Sequence, residues 1–281
     1  MPAIGFICPD SQQVEFEECF GACTNGSRCM SPPTLKRIAR QRPWKGKPST
    51  TQLINGTRLE LLKLTRDYYI DPQQRAFALL GTKHHAKLED ANFLMEERFE
   101  DETLTGIMDY YDDETRILYD FKSSGSFKVA KAVGIVSRKV PDSSGATYKR
   151  NGKGYKKGDP KMITVFETDP TKADMMDWTL QLNRYRLFLE DAGFPVREMI
   201  IQATVRDGGT YIAQQRGIDR NIYLIPVPRM KDKDVKDYFS TKAQALHEAL
   251  RTGYAPKCND EESWEGRRCA ICEVYTHCQL L

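Results

Sequence analysis

Between residues 30 and 257 the chain carries no cysteine, although it holds eight in all. It also lacks any apolar run approaching the roughly 20 residues that cross a bilayer. Its first residues, MPAIGFICPDSQQ, lack the basic and apolar blocks of a secretory leader. These absences lead us to expect a soluble, cytoplasmic protein with no membrane partner. A G-x-x-x-x-G-K-[ST] loop is missing, so no ATP-driven motor is expected in this chain. Histidine is scarce, at 4 residues; His84, His247 and His277 read as surface or structural. Trp44, Trp178 and Trp264 read as packing residues.

What is present fits a globular protein. At 281 residues, with 40% hydrophobic and 29% charged residues, the chain can bury a large core. Net charge is only +3, but it is unevenly spread. From Ser126 to Lys161 ten Lys or Arg stand against two acids. Within that stretch YKRNGKGYKKGDPK is basic, glycine-rich and interleaved with tyrosine, which suits a phosphate backbone with rings free to stack on bases. Lys149, Arg150, Lys153, Lys156, Lys157 and Lys161 are the candidate nucleic-acid contacts. A solvated surface loop is the plainer alternative.

The cysteines fall into two groups of matching rhythm. Cys8, Cys19, Cys23 and Cys29 are spaced C-x10-C-x3-C-x5-C; Cys258, Cys269, Cys272 and Cys278 are spaced C-x10-C-x2-C-x5-C. In a reducing compartment such thiols stay reduced. Short loops between thiolates suit a tetrahedral metal, zinc or iron–sulfur, and spacing does not separate the two. Both groups read as structural metal sites.

Helical spacing runs through PPTLKRIARQRP, through STTQLINGTRLELLKLTRDYYI (capped at Ser49 or Thr50) and through PQQRAFALLGTKHHAKLEDANFL. FLMEERFED, LTGIMDYYDD and RILYDFKSS predict a three-stranded meander, and MITVFE a short strand. A long helix is expected over 174–192 with Gly193 as its stop, then strands EMIIQATVRD and NIYLIPVPRM, then a helix closing on Gly253. The order predicts an α/β core of mixed sheet flanked by helices.

One strand is odd. In RILYDFKSSG the acid Asp120 and the base Lys122 stand two apart, so an extended chain puts both on one face of an otherwise apolar strand. Either they form an ion pair, or they share a metal and a substrate. Asp109, on the second predicted strand, can supply a further oxygen ligand for magnesium or manganese. A lysine beside such a cation can place water and stabilise developing charge. His85, with Glu89 one turn on, and Gln181 with Tyr185 one turn on, complete the set.

The series GTKHHAKLE, TGIMDYY, LYDFKSS and QLNRY, in that order from Gly81 to Tyr185, resembles the RecB-like branch of the PD-(D/E)XK nucleases. The resemblance implies a restriction-endonuclease-like core with His85, Asp109 and Asp120 as ligands of Mg2+ or Mn2+. It gives Lys122 as catalytic lysine and Gln181 with Tyr185 as the helix pair. The ending C-x2-C-x5-C is similar to iron–sulfur members of that branch, the CRISPR-adaptation exonucleases and the AddB subunit. There one early cysteine joins three late ones around a 4Fe–4S cluster. This chain differs, with Gly56 near the place of the early cysteine and a full quartet at each end. Two local sites of zinc or 4Fe–4S are therefore preferred, the alternative being a mixed site of one N-terminal cysteine with Cys269, Cys272 and Cys278.

The domain reading is a cysteine-rich segment at 1–48, a nuclease core at 49–254 with a basic loop insertion at 125–173, and a cysteine-rich segment at 255–281. The function implied is metal-dependent hydrolysis of DNA, as an exonuclease on single strands or ends, alone or beside a recombination or replication partner. A phage or mobile-element origin would suit a nuclease without a motor. The alternative is a catalytically inactive nucleic-acid-binding module.

Overall fold

A computed structural model of the chain describes residues 3–41, 43–76, 79, 94–95 and 97–281. The architecture is mixed α/β, with several sheets and many helices. The strands in chain order are β1 (Ala3–Ile7), β2 (Gln13–Glu15), β3 (Tyr68–Ile70), β4 (Leu94–Met95), β5 (Arg98–Glu100) and β6 (Thr105–Ile107). Then come β7 (Tyr110–Asp112), β8 (Ile117–Ser124), β9 (Ile135–Pro141), β10 (Met162–Thr168), β11 (Glu198–Val205) and β12 (Ile222–Pro226). The chain divides into two compact units: residues 1–119, 179–199 and 228–281, and residues 120–178 and 200–227.

The first unit contains both cysteine-rich ends. Strand β1 pairs antiparallel with β2 and parallel with β3. Around it lies a core of Phe6, Leu35, Ile38, Leu59, Leu62, Ile70 and Val274, so residues more than 200 positions apart are buried together. Fully burying one such side chain stabilises by about 1.5–3 kcal/mol. The helix Asp232–Thr252 buries Val235, Phe239, Ala243, Leu246 and Ala249, spaced by four or three as one helical face requires. Buried Arg58 draws the C-terminal segment in, donating to the carbonyls of Ala255 (3.0 Å) and Cys278 (2.9 Å). Glu273 accepts from Arg75 at 2.6 Å and pairs with Lys63 at 2.8 Å.

In the second unit the strands run in the order β12, β11, β8. β11 and β12 pair antiparallel from Ile200↔Pro226 to Thr204↔Ile222. After β8 come the helix Ser126–Val133 and a long antiparallel hairpin, in register from Thr168↔Ile135 to Met162↔Pro141.

Several expectations shift. The stretch 49–71 is not one helix: Ser49 does form a capping box with Gln52, but helices Thr50–Ile54 and Thr57–Thr65 break at Asn55-Gly56. Tyr68–Ile70 is strand β3, because its aromatic and β-branched side chains are buried beside β1. The expected meander is divided differently. β5 and β6 form their own hairpin, while β4 and β7 pair with one another and β7 pairs with β8. The chain must bend between the two sheets, and Asp109 lies in that bend rather than on a strand. The basic stretch is not a plain loop either: a helix and the β9–β10 hairpin make up most of it, and MITVFE is its second strand. The two long helices run Met176–Asp191 and Asp232–Thr252, as their spacing predicts.

Candidate active site and cysteine groups

Strand β8 carries Asp120 and Lys122. Leu118 and Asp120 are both buried, at 0% and 1% exposure, as residues two apart on one face should be. Lys122 follows on that face, and its Nζ donates to Asp120 Oδ2 at 2.6 Å. Taking a carboxylate out of water costs several kcal/mol, so such an acid is paired, hydrogen-bonded or protonated. The ion pair anticipated from the spacing is therefore present. Its geometry places an ammonium directly on a buried carboxylate oxygen.

The helix that follows β8 is anchored by a network the sequence did not reveal. Ser126 is fully buried; its N–H donates to Asp207 Oδ1 and its hydroxyl to Asp207 Oδ2, both at 2.6 Å. Arg216 donates to Ser126 Oγ at 2.7 Å. These bonds, chiefly that of the Ser126 hydroxyl, hold the Asp207 carboxyl below the usual carboxylate range. They fix the chain where it leaves the D-x-K strand. The partners are 81 and 90 residues apart, which no local pattern signals.

In the first unit Asp109 is 9% exposed, just after Met108, whose N–H donates to the Glu97 carbonyl at 3.1 Å. Gln181 and Tyr185 meet as their one-turn spacing requires: Gln181 Nε2 donates to Tyr185 Oη at 3.0 Å. The tyrosine ring packs on the backbone at Gly106, where an added Cβ would lie 2.8 Å from Tyr185 Cε1. The glycine of TGIMDYY thus makes room for the tyrosine of QLNRY. That signal was in the sequence, but its partner was not. His85, with His84 and Glu89, lies outside the described residues.

Lys149, Arg150, Lys153, Lys156, Lys157 and Lys161 are all exposed, between β9 and β10. Lys128, Lys131 and Arg138 are instead engaged with Asp177, Asp174 and Glu167.

All eight cysteines are free thiols. Burial pushes the Cys8 thiol up, and Asp10, Cys19, Cys29 and Cys23 add to it. Burial likewise raises Cys19, with Arg28 opposing and Cys29 and Cys23 adding. In the C-terminal group burial raises Cys258, with Glu262 and Cys278 contributing; burial also raises Cys272, with Cys269 contributing. Cys19, Cys258, Cys272 and Cys278 all pack against the Phe6–Leu62–Val274 core. At Gly56 an added Cβ would lie 2.5 Å from Cys258 Sγ, so this glycine backbone abuts the C-terminal group. Among the described residues no three His, Cys, Asp or Glu side chains gather as a metal site.

No helix among the described residues is long and apolar enough to cross a membrane. No family model matches the chain, and no curated protein matches it. Among solved structures it is similar to SSO0001, with 14% identity and a TM-score of 0.42 over 87% of this chain and 91% of that one. It is also similar to a phage related exonuclease from Haemophilus somnus 129PT, with 13% identity and a TM-score of 0.42 over 75% and 98%. Neither likeness carries the functional reading, which rests on the residues themselves.

Proposed function

We propose that the chain is a divalent-metal-dependent deoxyribonuclease with a PD-(D/E)XK core, acting as an exonuclease on DNA ends or single strands. The observation that carries this reading is the buried Asp120 carboxylate with Lys122 Nζ on its oxygen at 2.6 Å.

The donors fit the cation. Carboxylate oxygens are the hard ligands that Mg2+ and Mn2+ prefer, and Asp109, Asp120 and His85 would hold the ion. When bound, it polarises the phosphodiester and lowers the pKa of a water. The protein's own part falls to Lys122: held against Asp120, its ammonium would orient the attacking water and offset charge developing on the phosphate. Gln181, half-buried and held by the buried Tyr185, would present a polar group to the nucleic acid. A cation that favours thiolate would offset the upward push on the Cys8 and Cys19 thiols. Zinc or a 4Fe–4S cluster at each cysteine group is our assignment, as a staple for the ends.

The test is cleavage of labelled DNA with Mg2+ or Mn2+ by the full chain, Lys122→Ala and Asp120→Asn. Loss of cleavage in both folded variants is expected. Unchanged cleavage by Lys122→Ala would refute the reading. The exposed cations between β9 and β10 favour a second reading, a binding module that does not cut. Salt-dependent DNA binding with no cleavage in either metal would select it.

A further inference from the structure

The tip of the β9–β10 arm, residues 142–161, is built rather than loose. Asp142 N–H donates to the Lys161 carbonyl at 2.7 Å, Lys161 N–H to Ala146 at 2.8 Å, and Tyr148 N–H to Asp159 at 3.0 Å. Lys157 N–H donates to Asn151 Oδ1 at 2.7 Å. The tip holds six of the ten cations in the 126–161 stretch, and none of the six forms an ion pair among the described residues. Its two acids are spent on turns: Asp142 accepts from Ser144 N–H at 2.9 Å, and Asp159 from Lys156 N–H at 2.6 Å. The result is a preorganised cationic surface.

The tyrosines do not do what their interleaving suggested. Tyr148 and Tyr155 stack on each other, with ring centroids 3.7 Å apart and planes at 19°. The Tyr148 hydroxyl accepts from Met162 N–H at 3.3 Å, and Tyr155 lies so close on Gly152 that a Cβ there would sit 2.2 Å from its Cζ. Single-strand binders stack unpaired bases on free rings, at about 1–3 kcal/mol per base. Here each tyrosine spends a ring face on the other, and Tyr155, though 37% exposed, lays its ring on Gly152. What remains for a ligand is charge.

We propose that the arm tip is an accessory site for double-stranded nucleic acid, gripping the phosphate backbone through Lys149, Arg150, Lys153, Lys156, Lys157 and Lys161 without reading or stacking bases. This deepens the nuclease reading on which it rests: the arm would hold the duplex flank while the end is processed elsewhere. Rigidity favours the proposal, since a preformed cationic surface loses less freedom on binding than a loop does.

The test is equilibrium binding of the full chain in EDTA, with fluorescent duplex and single-stranded oligonucleotides of equal length across a salt series. Duplex should bind more tightly than single strand, irrespective of sequence, with log K falling by about 0.9 per phosphate contact per log unit of salt. Lys156→Ala with Lys157→Ala should lower that slope by about 2. Their side chains are exposed, so an unchanged melting temperature will confirm folding. An unchanged slope would overturn the proposal, as would tighter or base-dependent single-strand binding. Equal affinity for anionic phospholipid vesicles or for polyglutamate would also overturn it. Because EDTA removes the catalytic cation, failure here leaves the hydrolytic reading to the Lys122→Ala assay, and the reverse holds.

Discussion

Arg58→Leu tests how the C-terminal segment is joined to the helix Thr57–Thr65. Arg58 is 2% exposed and donates to two carbonyls, Ala255 at 3.0 Å and Cys278 at 2.9 Å, 197 and 220 residues away. Hydrogen bonds to a charged donor contribute about 1.5–3 kcal/mol each. Leucine keeps much of the volume but leaves both carbonyls without this donor. Relief from burying a guanidinium offsets part of that loss. A net destabilisation of about 3 kcal/mol is therefore expected, read as a lower midpoint in urea at unchanged slope. Arg58→Lys should fall between, because a compact ammonium cannot span both acceptors as a planar fork does. Residues 255–281 should also loosen, so protease should cut there sooner and thiol reagent should label Cys278 faster. A midpoint change worth less than about 0.5 kcal/mol, with labelling unaltered, would refute the reasoning; changes that small are typical of featureless surface sites.

Three further outcomes follow from other contacts. Burial alone would push the Glu273 carboxyl up, but Arg75 and Lys63 outweigh it and hold the carboxyl below the usual range. A folded pKa below the unfolded value gives stability that is present above roughly pH 4.3 and is lost as pH falls through the folded pKa. Glu273→Gln should therefore lose stability at neutral pH and show a weaker acid-induced drop; identical pH profiles would count against the pairing. Gly106→Ala places a methyl 2.8 Å from Tyr185 Cε1 and 3.1 Å from Phe188 Cε2, so overpacking should cost about 1–3 kcal/mol by thermal unfolding. Ser126→Ala removes the hydroxyl bond to Asp207 and the acceptor for Arg216, an expected loss of about 1–3 kcal/mol by the same assay.

The arm and the strand before it make different demands on charge. On β8 the buried Asp120 carboxylate meets the Lys122 ammonium two residues away, a local contact. At the arm tip the cations stand in water, where any one contact is weak and screened by salt. Only their number and fixed spacing make a site. If the proposed nuclease reading holds, Asp120 substitutions should act on one chemical step, while tip substitutions should act gradually and additively.

Local pattern determined much of this protein. Period-two alternation placed Asp120 and Lys122 on one face, and a one-turn spacing brought Gln181 to Tyr185. Apolar residues three and four apart set the face of the Asp232–Thr252 helix, because these relations reach only neighbours along the chain. Tertiary structure alone decided the rest. It turned Tyr68–Ile70 into a strand by giving it β1 as a partner, and it bent the chain at Asp109 by dividing the expected meander between two sheets. It set Gly106 under Tyr185, tied Ser126 to Asp207, and closed Tyr148 on Tyr155 rather than on a ligand. The first two of those contacts join residues about 80 positions apart, and the third depends on the hydrogen-bonded turns between residues 142 and 161. Their free energy comes from burial and hydrogen bonds that exist only once the chain has folded.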